Sequence, residues 1–216
     1  MDASGMVGIG CVVGNDATPH ALIRHETRAV GARPRWHEIG ANSEPFPGLG
    51  HHKGVMSKVS VKVFNSAGEL VGPLDLPRVE KSAAEWRAQL TEEQFRVARA
   101  QGTERPFCGT LLDNKAHGVY ACVCCNLPLF ASDAKFESGT GWPSFFQPIA
   151  DENVITHTDR SYGMTRVEIL CARCDCHLGH VFPDGPPPTR QRHCVNSESL
   201  VFVDVEDLRD LADPAA

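Results

Sequence analysis

Cysteines in two matched pairs could bind a metal ion. Cys122-x-x-Cys125 and Cys171-x-x-Cys174 are chelating pairs, because a two-residue gap lets both sulfurs reach one ion from a tight turn. Two such pairs predict one structural zinc ion per chain, bound by four thiolates in a closed tetrahedral site. Unrelated buried or redox-active cysteines would explain the matched spacing poorly.

A further cysteine lies near the C-terminus in a setting that suits a nucleophile. Cys194 is flanked by Arg192 and His193, and a cation beside a thiol lowers its pKa and raises the fraction of reactive thiolate. We therefore expect Arg192, and His193 when protonated, to activate Cys194. Asn196 could hydrogen-bond a polar substrate or fix the local backbone.

Two histidines precede this segment. His177 and His180 could donate a proton near neutral pH, the usual role of an imidazole in catalysis. By spacing alone, a partly buried Cys194 beside structural histidines explains the pattern as well as a catalytic site does.

The composition is that of a globular protein and limits the choice of function. The chain has 216 residues, of which 42% are hydrophobic and 22% are charged, and its formal net charge is −6. This acidic balance, with no stripe of Lys and Arg, argues against a nucleic-acid-binding protein. No apolar run approaches the roughly 20 residues that span a bilayer, so no membrane partner is expected.

The composition and hydrophobic pattern of the chain change near Met56. Residues 1–55 have weak periodicity and many glycines, and we interpret them as a flexible leader that is either not translated or a targeting segment. A start at Met56 gives a cytoplasmic protein, whereas a targeting segment gives an exported or organellar one. Residues 56–78 form a short strand-bearing extension, in which Val59, Val61 and Val63 alternate with polar residues before a turn at 65–68.

Two helices and a β-rich region follow. Ser82-x-x-Glu85 and Thr91-x-x-Gln94 are capping boxes, which predict two helices before Gly102. Beyond Cys108, short apolar runs alternate with Gly and Pro, as in a mainly β domain. These runs lie at residues 119–121, 165–170 and 200–205.

The chain from Val79 to Leu208 resembles the methionine sulfoxide reductase B family. The matching strings occur in the order of the family, with both cysteine pairs in place. They are GTERPFCG (102–109), GVYACVCC (118–125), KFESGTGWPSF (135–145), RCDCHLGHVFPDGP (173–186) and RHCVNSESL (192–200).

The resemblance implies a mainly β fold with N-terminal helices: two antiparallel sheets, the β-tent of this family, and a structural zinc site. It places this domain at residues 79–208, followed by a tail at 209–216. It implies the reduction of the R epimer of methionine sulfoxide by Cys194, with Asn196 beside the sulfoxide and its water network. The other implied residues are His177 and His180 at the sulfoxide, Trp142 and His193 at the substrate, and Arg192 and Asp184 in support.

One departure from the family concerns the resolving cysteine, which condenses with the sulfenic acid left on the nucleophile. Many members carry it in the Gly-x-Gly-Trp-Pro stretch, where this chain has Thr140. We expect Cys108 to take this role, with Cys176 and Cys124 as alternatives that lie beside the predicted zinc ligands and also allow other registers for the ion. Cys108 could instead be a buried small hydrophobe. His193 is a second departure, because relatives usually have an aromatic residue there.

The expected partners are oxidised proteins or peptides, free methionine sulfoxide as an alternative substrate, and thioredoxin as the reductant of a monomeric enzyme. Two other classes compete with this interpretation. A non-catalytic zinc module would not need Cys194 or Trp142. A disulfide isomerase or oxidase would not reduce methionine sulfoxide at all.

Overall fold

The structure is a computed structural model of the chain, and it describes residues 57–214 and residue 216. The predicted leader at 1–55 and Met56 lie outside these residues. The described residues form a mainly β fold with antiparallel strands and N-terminal helices, which confirms the predicted class. The strands are β1 (Lys58–Phe64), β2 (Leu70–Pro77), β3 (Gly118–Cys122), β4 (Pro128–Ala131), β5 (Lys135–Phe136), β6 (Ser144–Phe145), β7 (Val154–Asp159), β8 (Arg166–Cys171), β9 (His177–Phe182), β10 (Arg192–Val195) and β11 (Leu200–Asp204). The α-helices are α1 (Ala83–Gln89) and α2 (Glu92–Ala98), and 3-10 helices span Ser132–Ala134, Asp151–Asn153, Ser161–Gly163, Ser197–Ser199 and Val205–Leu211.

The first two strands form a hairpin that packs into the main core. Val61 and Val63 are 0% and 1% exposed, as the alternating pattern predicts. The turn is stabilised by Asn65, whose side-chain oxygen accepts from the amides of Ala67 and Glu69 at 2.9 and 3.0 Å. Asn153 binds the hairpin to the rest of the fold, since its amide group pairs with both backbone polar groups of a β1 residue, at 2.8 Å each.

The two helices begin at the predicted capping boxes. The hydroxyls of Ser82 and Thr91 accept from the amides three residues on, and the side chains there bond back to the cap amides. Each helix is only seven residues long, so packing rather than intrinsic propensity must stabilise it. Trp86 and Phe95 supply that packing, at 2% and 8% exposed. No helix among residues 57–214 is long and apolar enough to cross a membrane.

Two larger antiparallel sheets build the body of the described chain. One has six strands in the order β5-β6-β10-β9-β8-β7, and the other has three in the order β11-β3-β4. Aromatic rings join them: Phe145 of the six-stranded sheet stacks on Phe130 at 4.5 Å and meets Tyr120 edge-on at 5.0 Å. The core thus fixes β9 and β10, the strands that carry the predicted catalytic residues.

Candidate active site and metal centre

Two knuckles, at residues 122–127 and 171–176, present the cysteines predicted as metal ligands, and their backbones match. In each knuckle the amide of the first cysteine donates to the carbonyl five residues on, at 2.9 and 3.0 Å. The amide four residues on donates back to that cysteine, at 2.8 and 3.0 Å. This tight turn requires a left-handed residue, and Asn126 and Asp175, with φ of 59° and 56°, are residue types that tolerate it.

The four sulfurs converge on one point. The Sγ atoms of Cys122, Cys125, Cys171 and Cys174 all lie within 4.8 Å of one another. Cys122 and Cys174 are 3.6 Å apart, as are Cys125 and Cys171. A tetrahedron with metal–sulfur bonds of about 2.3 Å has edges of about 3.8 Å, so this set fits a single thiolate-bound ion. Because three of the four cysteines are buried, the ion would be closed off from substrate.

The candidate catalytic residues lie on one face of the six-stranded sheet. Cys194 on β10 pairs directly with His180 on β9, and in an antiparallel pair opposite side chains project to the same face. Gly179 allows the two strands to approach, because a Cβ there would lie 2.0 Å from the Cys194 carbonyl oxygen. Cys194 is a partly exposed free thiol on a cleft of about 150 Å³. The cleft is lined by Thr103, Trp142, Arg166, Gly179, His180, Phe182, Cys194, Val195 and Asn196.

Acidic residues hold both predicted histidines. His180 Nε2 lies 2.9 Å from an Asp159 carboxylate oxygen, and Arg166 contacts the same oxygen at 2.7 Å. Hydrogen bonds from Ser161 and then from His180 keep the pKa of Asp159 well below its ordinary value. His177 lies behind this group: it is buried, and its Nδ1 is 2.6 Å from Glu168. Burial lowers the pKa of His177, although Glu168 opposes that shift.

Arg192 lies on the Cys194 face of β10, two residues before the nucleophile. It forms two hydrogen bonds to Asp184, at 2.9 and 3.0 Å, and its guanidinium stacks over the Phe182 ring at 4.5 Å. Burial raises the pKa of the Cys194 thiol, whereas the positive charge of Arg192 and a hydrogen bond from Thr140 act to lower it. The effect of burial is the larger, so the expected net activation of the resting thiol is not seen.

His193 occupies a different environment from the one predicted. Side chains alternate along a strand, so His193 points to the opposite face of β10 from Cys194. It is 5% exposed, its Nδ1 lies 3.2 Å from the Phe145 carbonyl oxygen, and its ring packs 5.8 Å from Phe130. Burial lowers the pKa of His193 and so disfavours its charged form. His193 is not among the residues that line the cleft.

The loop that precedes Cys108 is fastened to the end of β10. The buried carboxylate of Glu104 accepts from the Ser197 amide at 2.8 Å and the Glu198 amide at 3.1 Å. Its backbone amide donates to the Asn196 side chain at 3.1 Å, and its carbonyl accepts from Trp142 Nε1 at 3.2 Å. Asn196 therefore fixes backbone, as one of the two predicted roles requires, and it is also among the residues that line the cleft.

The Cys108 loop also touches the segment that carries Thr140. Phe107 donates its amide to the Gly141 carbonyl at 2.8 Å, and Thr140 Oγ1 lies 4.0 Å from the sulfur of Cys194. Cys108 itself is exposed. The structure thus brings the segment of the predicted resolving cysteine next to a residue that contacts the nucleophile.

The sequence reasoning missed several residues of the site. Asp159 and Glu168 hold the two histidines, and Glu104 clamps the loop. The first two lie on β7 and β8, whose alternation could have placed them on the histidine face, but only once the strand order was known. Glu104 lies in a loop with no periodic signal, and only its position within the GTERPFCG string marks it.

A partly exposed cysteine lies opposite a histidine at the cleft, and a cluster of four cysteines that could bind a metal lies outside the cleft. Together these features define a thiol-dependent oxidoreductase with a separate metal centre. The SelR domain family model matches residues 90–204. Proteins named peptide methionine sulfoxide reductase MsrB are similar to the chain: that of Pseudomonas fluorescens is 56% identical over 128 residues, which cover 59% of this chain and 98% of the relative. That of Hahella chejuensis is 58% identical over 59% of this chain and 91% of the relative, and that of Methanosarcina mazei is 55% identical over 60% and 93%. The chain belongs to the methionine sulfoxide reductase B family and is an enzyme of that family.

Proposed function

We propose that this enzyme reduces the R epimer of methionine sulfoxide in oxidised proteins and peptides, and that it does so as a monomer recycled by thioredoxin. The observation that carries the proposal is the direct pairing of Cys194 with His180 at a cleft whose wall includes Trp142. A sulfoxide oxygen is a poor leaving group until it is protonated. The nucleophile must therefore reach the sulfur of the sulfoxide while the acid reaches its oxygen. Trp142 would hold the methyl group of the substrate.

In the proposed reaction the Cys194 thiolate attacks the sulfoxide sulfur while His180 supplies a proton to the oxygen. The oxygen then passes to the Cys194 sulfur: a new S–O bond forms there while the S–O bond of the substrate and the transient bond between the two sulfurs break. Methionine leaves with its sulfur reduced, and Cys194 is left as a sulfenic acid. Because burial disfavours the thiolate, Arg192 is the cation that stabilises the charge as it forms. Asp159 and Glu168 keep the two imidazoles in place.

Recycling requires a second thiol. We propose that Cys108, in its reduced form, condenses with the sulfenic acid, which releases water and forms a disulfide, and that a thioredoxin dithiol then reduces this bond. Support comes from the contact between the Cys108 loop and the Gly141 segment, which brings that loop near the sulfur of Cys194. Since this chain has Thr140 where many relatives have a cysteine, a resolving thiol would have to come from another part of the chain.

We also propose that the four-cysteine cluster binds one zinc ion through Cys122, Cys125, Cys171 and Cys174. Four converging thiolates in a closed tetrahedral set suit zinc, which has no redox chemistry of its own and no geometric preference that opposes this arrangement. Its role would be to hold the ends of β3 and β8 together.

Separate turnover assays of the R and S epimers of peptide-bound methionine sulfoxide test the proposal. Thioredoxin and its reductase supply the electrons, and the Cys194→Ser variant is the control. We expect reduction of the R epimer alone by the wild type and no turnover by the variant. Equal reduction of both epimers would reject the stereochemical assignment. Turnover with a small dithiol but not with thioredoxin would reject the proposed recycling.

A further inference from the structure

Each knuckle carries one cysteine more than a single ion needs. Cys124 lies between the two ligands of the first knuckle, and Cys176 follows the second ligand of the other. Both are free thiols, 3% and 0% exposed. The sulfurs of Cys122, Cys124 and Cys176 all lie within 4.8 Å of one another, so they form a second group that could hold an ion, and this group shares Cys122 with the first.

Cys174 is the neighbour of the shared Cys122. Its sulfur lies 3.6 Å from that of Cys122 and within 4.8 Å of those of Cys125 and Cys171. Cys125 and Cys171 thus lie close to both members of the Cys122–Cys174 pair, and Cys124 and Cys176 lie close to Cys122. The 3.6 Å spacing is close to the edge of about 3.8 Å that two tetrahedra would share around bonds of about 2.3 Å.

We propose that the six cysteines form a site for two zinc ions, in which Cys122 and Cys174 bridge both ions. Cys125 and Cys171 complete the shell of the first ion, and Cys124 and Cys176 complete that of the second. This inference rests on the proposed zinc site and adds to it a second ion of the same class, a thiolate-preferring d¹⁰ cation. The role of the second ion is structural, because both extra ligands are buried.

The charge of such a cluster is acceptable for this environment. The two positive charges of the second ion are offset by the two added thiolates, so the net charge of the cluster does not change. The ends of the two helices supply a positive and a polar side chain to the backbone of the knuckles. Arg99, after α2, donates to the Cys174 carbonyl at 2.7 Å, and Gln89, at the end of α1, donates to the Cys124 carbonyl at 2.7 Å. The guanidinium of Arg99 is itself held over the ring of Trp86, at 4.8 Å.

The competing interpretation is that Cys124 and Cys176 are neutral thiols that fill the core. Cys176 Sγ lies 3.6 Å from the His177 carbonyl oxygen, a weak hydrogen bond that a protonated thiol could donate. In that case the number of bound ions would not depend on either residue. Metal stoichiometry therefore separates the two interpretations without reference to catalysis.

The experiment counts zinc ions on the full chain. Reduced, metal-free protein is titrated anaerobically with Zn²⁺, and bound ions are counted by native mass spectrometry. We expect two ions on the wild type, and one on Cys124→Ala, on Cys176→Ala and on the double variant. Cys194→Ser is the matched control, since it removes a thiol outside the cluster, and it should still bind two.

Loading the wild type with ¹¹³Cd²⁺ gives a second readout that needs no variant to fold. Two cadmium resonances in the range of sulfur ligands, coupled through the bridging thiolates, are expected. One ion on the wild type at zinc saturation, with a single cadmium resonance, would overturn the second site and leave the proposed single zinc site intact. No bound ion would overturn both. Two ions that persist on the double variant would place the second ion elsewhere and also overturn the proposal.

Discussion

The knuckle region and the end of β10 both depend on cysteine, but they place it in opposite surroundings. The knuckles pack six sulfurs together with little access to solvent, and rigid turns fix their positions. Cys194 is a single sulfur on a cleft, opposite a histidine and near an arginine. The comparison shows that crowding with other thiols suits a sulfur to metal binding, whereas isolation beside an acid and a cation suits it to attack.

The largest expected effects come from replacing either the cleft cysteine or a knuckle cysteine by serine. Cys194→Ser should lower reductase activity by at least about 1,000-fold, because a hydroxyl does not ionise near neutral pH. Its metal content should not change, and its melting temperature should stay within about 2 °C of the wild type. The measurements are the R-epimer assay, metal analysis and a thermal melt.

Cys125→Ser is the matched variant at the knuckles, and the opposite result is expected from it. It should lose metal and melt roughly 10 °C lower, since a structural zinc ion contributes several kcal/mol to a folded domain. Chelation of the wild type should lower the melting temperature in the same direction. A Cys194→Ser protein that lost its metal, or a Cys125→Ser protein that kept its metal and stability, would remove the distinction between the two regions.

Removal of the proposed resolving thiol should affect recycling and leave the chemical step intact. Cys108→Ser should still convert about one equivalent of substrate per chain, but its thioredoxin-dependent turnover should fall by about 100-fold because the sulfenic acid has no partner thiol. Rapid-quench and steady-state assays separate the two effects.

A second variant tests whether position or identity matters. Thr140 Oγ1 lies 4.0 Å from the sulfur of Cys194, so Cys108→Ser combined with Thr140→Cys should recover turnover. Unchanged turnover in Cys108→Ser alone would show that some other thiol, such as Cys176 or Cys124, recycles the enzyme.

A smaller effect is expected from the carboxylate that holds His180. Asp159→Asn should lower kcat by about 10-fold with little change in KM, because the imidazole loses the charged partner 2.9 Å away that orients it. Asp133→Asn is the control and should behave as the wild type, because this carboxylate is exposed and does not line the cleft. An Asp159→Asn enzyme with a normal kcat would exclude this role.

The sequence predicted local features well where a short motif determines them. The capping boxes at Ser82 and Thr91 and the knuckle cysteines depend on neighbours within five residues, so their geometry is encoded locally. The environments of Cys194 and His193 were harder to predict. The strand places them on opposite faces. Only the packed sheets show that burial opposes the effect of Arg192 on the pKa of Cys194 and lowers the pKa of His193. Strand order and burial are properties of the whole fold, which spacing along the chain does not contain.

The smallest predicted effect concerns the ionisation of Cys194 and tests how strongly its isolation depends on Arg192. Burial raises the pKa of this thiol and Arg192 opposes that effect, so Arg192→Leu should raise the pKa further. The thiolate fraction at pH 7 should fall, and alkylation of Cys194 by iodoacetamide should slow by roughly 5-fold, as expected for the loss of about 1 kcal/mol of Coulomb attraction near the surface. In both proteins the rate should rise with pH as the thiol ionises, and in the variant this rise should move to higher pH. Arg192→Lys keeps the positive charge but loses the paired hydrogen bonds to Asp184, so it should resemble the wild type more closely than the leucine variant does. Equal pH profiles for wild type and Arg192→Leu would mean that burial alone sets the reactivity of Cys194, and that the cation acts only on the bound substrate.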